Sequence, residues 1–453
     1  MIETIHIYHT NDLHSHLENW PKISRFLKAK KREHELAGEE VVLLDLGDFV
    51  DKWHPLTEGS KGKENISLLN EVGYNAVTIG NNEGITFSYE DLSTLYSKAK
   101  FDVLVANLYE KNGERPAWAK PNIIVESKQG FKLGIAGISA YYEHFYDLLG
   151  WRMTPPLDEL EKEIYDLKEV DGFLLMSHLG LGDDEWIARE HPMVDVILGG
   201  HTHHLLEEGK MVNQTLLAAA GKYGYYIGHI ELKIDSVKKA ILRKTAQVYK
   251  TEELPAEQQD DYQIDEWVER GKQLLQQEVV TIERDFTTDW FNPSSLPMLL
   301  CEAVHEWTKA DCTLINSGLV LGDLKKGSVS EYDLHALLPH PINPCAITLS
   351  GAELKEVIKQ SFNKDWPTLE LKGLGFRGKV MGNFVFKGLT INENLNEMSV
   401  NGKKIQLHEE YRLGTTDMFT FGHFFPELKR AKKQYYMPEF LRDVLAWKLK
   451  KQH

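Results

Sequence analysis

The chain has 453 residues, with 52 Lys and Arg against 68 Asp and Glu, a formal net charge of −16. At roughly 100–200 residues per domain that is two to four domains, and 42% hydrophobic with 26% charged residues excludes an extensively disordered chain. The acid excess argues against nucleic-acid or anionic-membrane partners, so a phosphorylated ligand would need local positive charge, most directly from metal ions.

No stretch approaches the ~18 apolar residues of a membrane span, and the start lacks the pattern of a signal peptide. Cys301, Cys312 and Cys345 are three in number and lack C-x-x-C spacing, so no disulfide framework is expected and a reduced, cytoplasmic protein is.

In chain order, short apolar runs fall at Thr4–Tyr8, Val41–Leu44, Ala76–Ile79, Val103–Val105, Leu133–Ile138, Phe173–Met176 and Val194–Leu198. Amphipathic stretches separate them, as where Leu157, Leu160, Ile164, Leu167 and Val170 share one helical face. The alternation predicts an α/β layered domain, with helices covering a sheet on both sides. From Ala256 to about Val279 the sequence turns polar and acidic, which predicts a long connecting helix. The expected layout is a first domain over 1–255, a connecting helix over 256–280 and a second domain over 281–453. In that second domain Leu296, Leu299, Leu300, Ala303, Val304 and Trp307 mark a helix. Ser350 and Glu353 have capping-box spacing ahead of Leu354, Val357, Ile358 and Phe362. The basic runs at Lys429–Lys433 and Lys448–Lys451 read as solvated surface.

Chemistry concentrates where the strands end. His9-Thr10-Asn11-Asp12-Leu13-His14, Gly47-Asp48, Gly80-Asn81-Asn82-Glu83, His178 and Gly199-Gly200-His201-Thr202-His203 each follow a predicted strand. Ligands gather at the carboxyl ends of parallel strands because loops from separate strands meet there. The resulting donor set is Asp12, His14, Asp48, Asn81, His178, His201 and His203: four imidazoles, two carboxylates and one amide. Each piece alone is commonplace, and a Gly-Asp after a strand is usually only a turn. Together they suit two divalent ions sharing a carboxylate, and the mixed N/O set favours Mn, Zn, Fe or Co over Ca.

On these motifs the chain resembles the calcineurin-like metallophosphoesterases, specifically the bacterial 5′-nucleotidase/UDP-sugar hydrolase family. The resemblance implies a four-layered αββα metallophosphatase domain plus a smaller αββα 5′-nucleotidase-like substrate domain. It assigns Asp12, His14, Asp48 and His203 to one ion and Asp48, Asn81, His178 and His201 to the other, with Asp48 bridging. It further implies hydrolysis of a phosphoester or pyrophosphate of a nucleotide or nucleotide-like small molecule, by attack of metal-bound hydroxide.

Two departures accompany the resemblance. The family's Gly-Asn-His-Asp/Glu segment has Asn82 in place of its His, and an amide donates a hydrogen bond but delivers no proton. His54, after Asp48, and His204, beside His203, are the nearby alternatives as proton donors. The segment from Asn316 through Gly318 to Leu324 resembles N-G-G-G-I-R-x-D-L, with Leu321 at the phosphate-binding Arg position. Asn316 and Gly318 are carried over as substrate contacts. Phe419 and Phe421 suit either a nucleobase platform or two core positions of a strand. A metal-dependent binding or sensing protein, weakened at Asn82 and Leu321, is therefore the alternative to a working hydrolase.

Overall fold

The apolar runs of the first half are strands, divided between two sheets. In the computed structural model, which describes residues 1–452, Ile2–Thr10, Glu40–Asp45, Ala76–Val77, Asp102–Leu104 and Ala119–Lys120 are parallel neighbours in a seven-stranded sheet. Tyr226–Asp235 and Ala240–Lys250 extend it antiparallel. Lys132–Ser139, Gly172–His178, Val196–Gly199 and Thr215–Ala218 are parallel in a six-stranded sheet with antiparallel edges.

The sheets pack face to face. Ile5, Ile7, Val42 and Leu44 of the first share one buried cluster with Leu133, Ile135, Leu174 and Met176 of the second. On the far side of the second sheet, Leu160, Leu167 and Ile187 pack on Phe173, Leu175 and Ile197. They come from helices Pro156–Asp166 and Leu181–Glu190, Leu167 being the residue that caps the first. Helix Trp20–Ala37 packs on the first sheet. The expectation of helices on both sides of one sheet is thus corrected: each sheet has helices on one side only and its twin on the other. Periodicity registers that a face is buried, not what buries it. The layers are αββα.

The chain divides into two compact units, Met1–Gly271 and a second beginning at Lys272. The boundary falls within helix Gln259–Leu274, which is shorter than the predicted one. Past it, Glu278–Ile282 pairs antiparallel with Gly327–Ser330. The β-branched Val279 and Val280 are drawn into that strand and pack on the core of the second unit.

The second unit centres on a mixed five-stranded sheet in the order Phe384–Lys387, Cys312–Asn316, Glu410–Thr416, Pro344–Ser350, Lys432–Tyr435. Helix Ser295–Thr308 buries Leu296, Leu299, Leu300 and Val304. Helix Gly351–Ser361 opens with the capping box, Ser350 Oγ accepting from the Glu353 N–H at 3.3 Å. The basic tail differs from expectation. Lys448 is buried in helix Leu441–Gln452, its ammonium paired with Glu306, so its stem packs in the core and only its neighbours are solvated.

Candidate metal centre

Carboxyl ends of parallel strands from both sheets supply the site: Asp12, Asp48 and Asn81 follow strands of the first, while His178 ends one strand of the second and His201 and His203 follow another. Tight turns are needed to bring five ligand-bearing strand ends to one point. Asp12, His14, Ser15, Asp48, His201, His203 and Tyr223 all have φ between 50° and 72°. Such conformations cost about 1–3 kcal/mol each outside glycine and persist only where the surroundings enforce them. The loops are sewn together by backbone bonds: Asp12 N–H to Gly47 O at 3.0 Å, His14 N–H to Asp48 O at 2.7 Å. Gly80 must lack a side chain, since a Cβ there would lie 2.0 Å from Asp48 Oδ1.

Two donor groups result, Asp12 with His14 and His203, and Asp48 with His178 and His201. His14 Nε2 lies 3.2 Å from His203 Nε2 and 3.9 Å from Asp12 Oδ1. His201 Nδ1 lies 2.8 Å from Asn81 Oδ1. Between the groups stands Asp48, its Oδ2 3.6 Å from His14 Nε2 and 3.4 Å from His178 Nε2.

The surroundings fit divalent cations. His178 donates through Nδ1 to the Leu46 carbonyl at 2.7 Å, which aims Nε2 at the carboxylates, where it is buried with no hydrogen-bond partner. His14 Nδ1 is held by Asp51 Oδ2 at 3.1 Å, the carboxylate–histidine pairing that orients metal ligands. The electrostatics make the same demand. Burial pushes Asp48 up, but His178 and His14 outweigh it and hold the carboxyl well below its usual range. Burial lowers His178, yet Asp48 and Asp12 raise it to about 10. His201 is lowered to about 4 and His203 to about 3, chiefly by burial, leaving neutral imidazoles suited to ligation.

Asn82 is buried and does not face outward. Its backbone N–H donates to Asp48 Oδ1 at 2.8 Å and its Nδ2 to Oδ2 at 2.9 Å, with Nδ2 3.1 Å from His14 Nδ1. His54 is a buried N-cap, its Nδ1 accepting from the Leu56 N–H at 3.2 Å. His204 is exposed, 2.8 Å from Thr202 Oγ1. Sequence reasoning missed Asp51, which signals itself only by following Asp48 in the same loop. It also missed the bracing role of Glu83, whose carboxylate accepts from the N–H groups of Asp48, Val50 and Gly80 at 2.9–3.0 Å. Burial and the Asp48 charge raise Glu83 to about 7. Asn11 was missed too: its Nδ2 donates to Asp12 Oδ2 at 2.8 Å.

In the second unit, Asn316 is buried and donates to the Met381 carbonyl at 2.8 Å. Gly318 permits close backbone approach, a Cβ there falling 2.0 Å from Val380 O. Leu321 is half-buried. Of its two readings Phe419 fits the core one, though in the 3₁₀ turn Asp417–Phe421 and not in a strand: fully buried, it packs among Phe384, Phe424 and Phe425 with centroids 5.3–6.0 Å away. Phe421, 37% exposed, keeps an open face.

Residues 5–205 match the model of the calcineurin-like phosphoesterases, and residues 275–424 that of the 5′-nucleotidase C-terminal domain. The chain is 44% identical over 460 residues to the uncharacterised metallophosphoesterase YunD of Bacillus subtilis, covering 99% of this chain and 100% of that protein. The chain belongs to the calcineurin-like metallophosphoesterases. Members of this family are metal-dependent phosphoester hydrolases. The fold of this metallophosphoesterase is shared with a putative 5′-nucleotidase from Staphylococcus aureus (TM-score 0.70, 16% identity, 99% and 97% of the two chains). It is shared likewise with the NAD nucleotidase of Haemophilus influenzae (TM-score 0.68, 17% identity, 100% and 97%). Among the described residues, no helix is long and apolar enough to cross a membrane.

Proposed function

We propose that this metallophosphoesterase hydrolyses phosphoester or pyrophosphate bonds of small nucleotides or nucleotide-like molecules with two divalent cations. Residues 1–255 would carry the chemistry, 256–280 the connection and 281–453 the substrate domain. Asp12, His14, Asp48 and His203 would hold one cation and Asp48, Asn81, His178 and His201 the other. The observation that carries this is the position of Asp48 Oδ2, within 3.6 Å of His14 Nε2 on one side and 3.4 Å of His178 Nε2 on the other. The N/O donor set suits Mn, Zn, Fe or Co. The nucleotide class is supported by the match to a 5′-nucleotidase C-terminal domain. Three buried free thiols, Cys301, Cys312 and Cys345, support a reducing, cytoplasmic setting.

When bound, the two cations supply Lewis-acid charge that polarises a phosphoryl oxygen and lowers the pKa of water. The chain's own residues orient that centre. Asp51 and the Leu46 carbonyl fix the rings of His14 and His178, and Asn82 keeps both Asp48 oxygens hydrogen-bonded and aimed. Asn82 offers no proton to a departing oxygen, so leaving groups that depart as stable anions are favoured. A metal-dependent binding or sensing role is the second reading, supported by the turn of Asn82 toward Asp48 and by Leu321.

The deciding experiment loads the full chain with Mn²⁺, measures metal per chain, and assays p-nitrophenyl phosphate, bis-p-nitrophenyl phosphate, mononucleotides and dinucleotides. Turnover abolished by chelator is expected. Two cations bound with no turnover across the panel would overturn the hydrolase reading in favour of binding.

A further inference from the structure

Lys222 lies beside the centre, outside the ligand set. Lys222 sits in the loop joining strands Thr215–Ala218 and Tyr226–Asp235, and this loop is tied to two ligand-bearing loops. Asn11 bonds the Ala220 N–H at 3.0 Å and the Gly221 carbonyl at 2.7 Å, Tyr223 N–H donates to Asp12 O at 2.8 Å, and Gly221 N–H to His204 O at 3.0 Å. Gly221, Tyr223 and Gly224 are all left-handed, so the turn is tight and specific. Lys222 Nζ lies 4.5 Å over the Tyr223 ring. That ring in turn stands edge-on to His14 at 5.9 Å and lies 6.3 Å from His203.

Two features set Lys222 apart from an ordinary solvated lysine. Its stem and charge are held over an aromatic face, a cation–π arrangement that limits where the ammonium goes. And among the described residues it forms no ion pair with a carboxylate, in a chain of net charge −16.

We propose that Lys222, on its Tyr223 platform, is an anion subsite for the non-scissile phosphate of a pyrophosphate-linked substrate. This deepens the hydrolase reading and rests on it for the substrate's scissile end. The chemistry is consistent with Asn82. Hydrolysis forms a bond from water oxygen to the scissile phosphorus and breaks that from phosphorus to the bridging oxygen. The electron pair stays on the leaving phosphate, and the water proton passes to solvent. A phosphate leaves as an anion near neutral pH, its second pKa being about 6, so it needs a neighbouring cation more than a proton. Lys222 supplies that charge, which neither Asn82 nor Leu321 offers.

The test uses the Mn²⁺-loaded full chain, with Lys222→Met to keep the stem and Lys222→Arg to restore the charge. Kinetics compare a dinucleoside pyrophosphate with p-nitrophenyl phosphate, and calorimetry compares non-hydrolysable methylenediphosphonate with methylphosphonate. Lys222→Met should lower kcat/KM for the pyrophosphate and weaken the diphosphonate by about tenfold or more, the scale of a charged hydrogen bond. The monophosphoryl compounds should change by less than about twofold, the mark of a lost binding contact remote from the scissile group, and Lys222→Arg should recover most of the loss. Equal effects on both classes, or none on either, would overturn the subsite. Calorimetry reads it even without turnover. Diphosphonate bound through Lys222 by an inactive protein would support the subsite and overturn only the hydrolase reading.

Discussion

Asn82 grips both oxygens of Asp48, its backbone N–H on Oδ1 at 2.8 Å and its side-chain amide on Oδ2 at 2.9 Å. The residue that departs from the family's Gly-Asn-His pattern therefore braces the central carboxylate. The pocket is built around the amide, and an imidazole there would disturb the side-chain hydrogen bond to Asp48 Oδ2. Asn82→His should leave kcat on p-nitrophenyl phosphate unchanged or lower it by up to about tenfold, the scale of one lost charged hydrogen bond. A tenfold rise would mean the amide is simply a missing acid.

Asp48 stands between both donor groups, so its loss should affect both. Asp48→Asn is expected to release at least one cation per chain by elemental analysis. Activity should fall by more than about 100-fold, beyond the cost of losing a residue behind a ligand. Unchanged metal content would contradict the bridging position.

Asp51 holds His14 through Nδ1, its Oδ2 3.1 Å away. Asp51→Asn should weaken metal binding by about 10–100-fold, as such orienting carboxylates do, while saturating Mn²⁺ recovers most of the activity. A competitive chelator titration measures the shift. Affinity equal to wild type would show that His14 needs no orienting partner.

His340 is a buried neutral ring in the second unit. Its Nε2 donates to Leu319 O at 2.7 Å and its Nδ1 accepts from the Arg377 N–H at 2.8 Å, while the ring stacks on Phe376 at 5.1 Å. Burial lowers its pKa from 6.5 to about 3. The unfolded chain thus binds the extra proton first, so stability from this group is complete above pH 6.5 and drains away as pH falls from 6.5 toward 3. Thermal melts should show a lower Tm at pH 5 than at pH 7, and His340→Gln should flatten that dependence while lowering Tm at pH 7. An equal slope in the variant would remove His340 as a cause.

Phe419 is a core ring, so Phe419→Ala should cost about 3–5 kcal/mol of stability, read as a lower denaturation midpoint. Phe421→Ala, at a half-open position, should cost far less. A variant at Phe419 with wild-type stability and a raised nucleotide KM would reverse this assignment.

What the sequence determined is local. The places of Asp12, Asp48, Asn81, His178, His201 and His203 at or just past strand ends were legible, because the order of residues alone decides that. The Ser350–Glu353 cap was legible for the same reason, its partners being three residues apart. Tertiary structure alone decided what depends on a distant neighbour. Whether a strand's buried face meets a helix or a second sheet, and whether Lys448 is solvated or paired with Glu306, leaves no trace in spacing. The direction of Asn82 depends on Asp48, 34 residues earlier. The station of Lys222 depends on Asn11, about 210 positions away along the chain. Hydrophobic pattern records that a side is covered and turn chemistry records where the chain bends, but the identity of the covering group is settled only when separate segments compete for the same space.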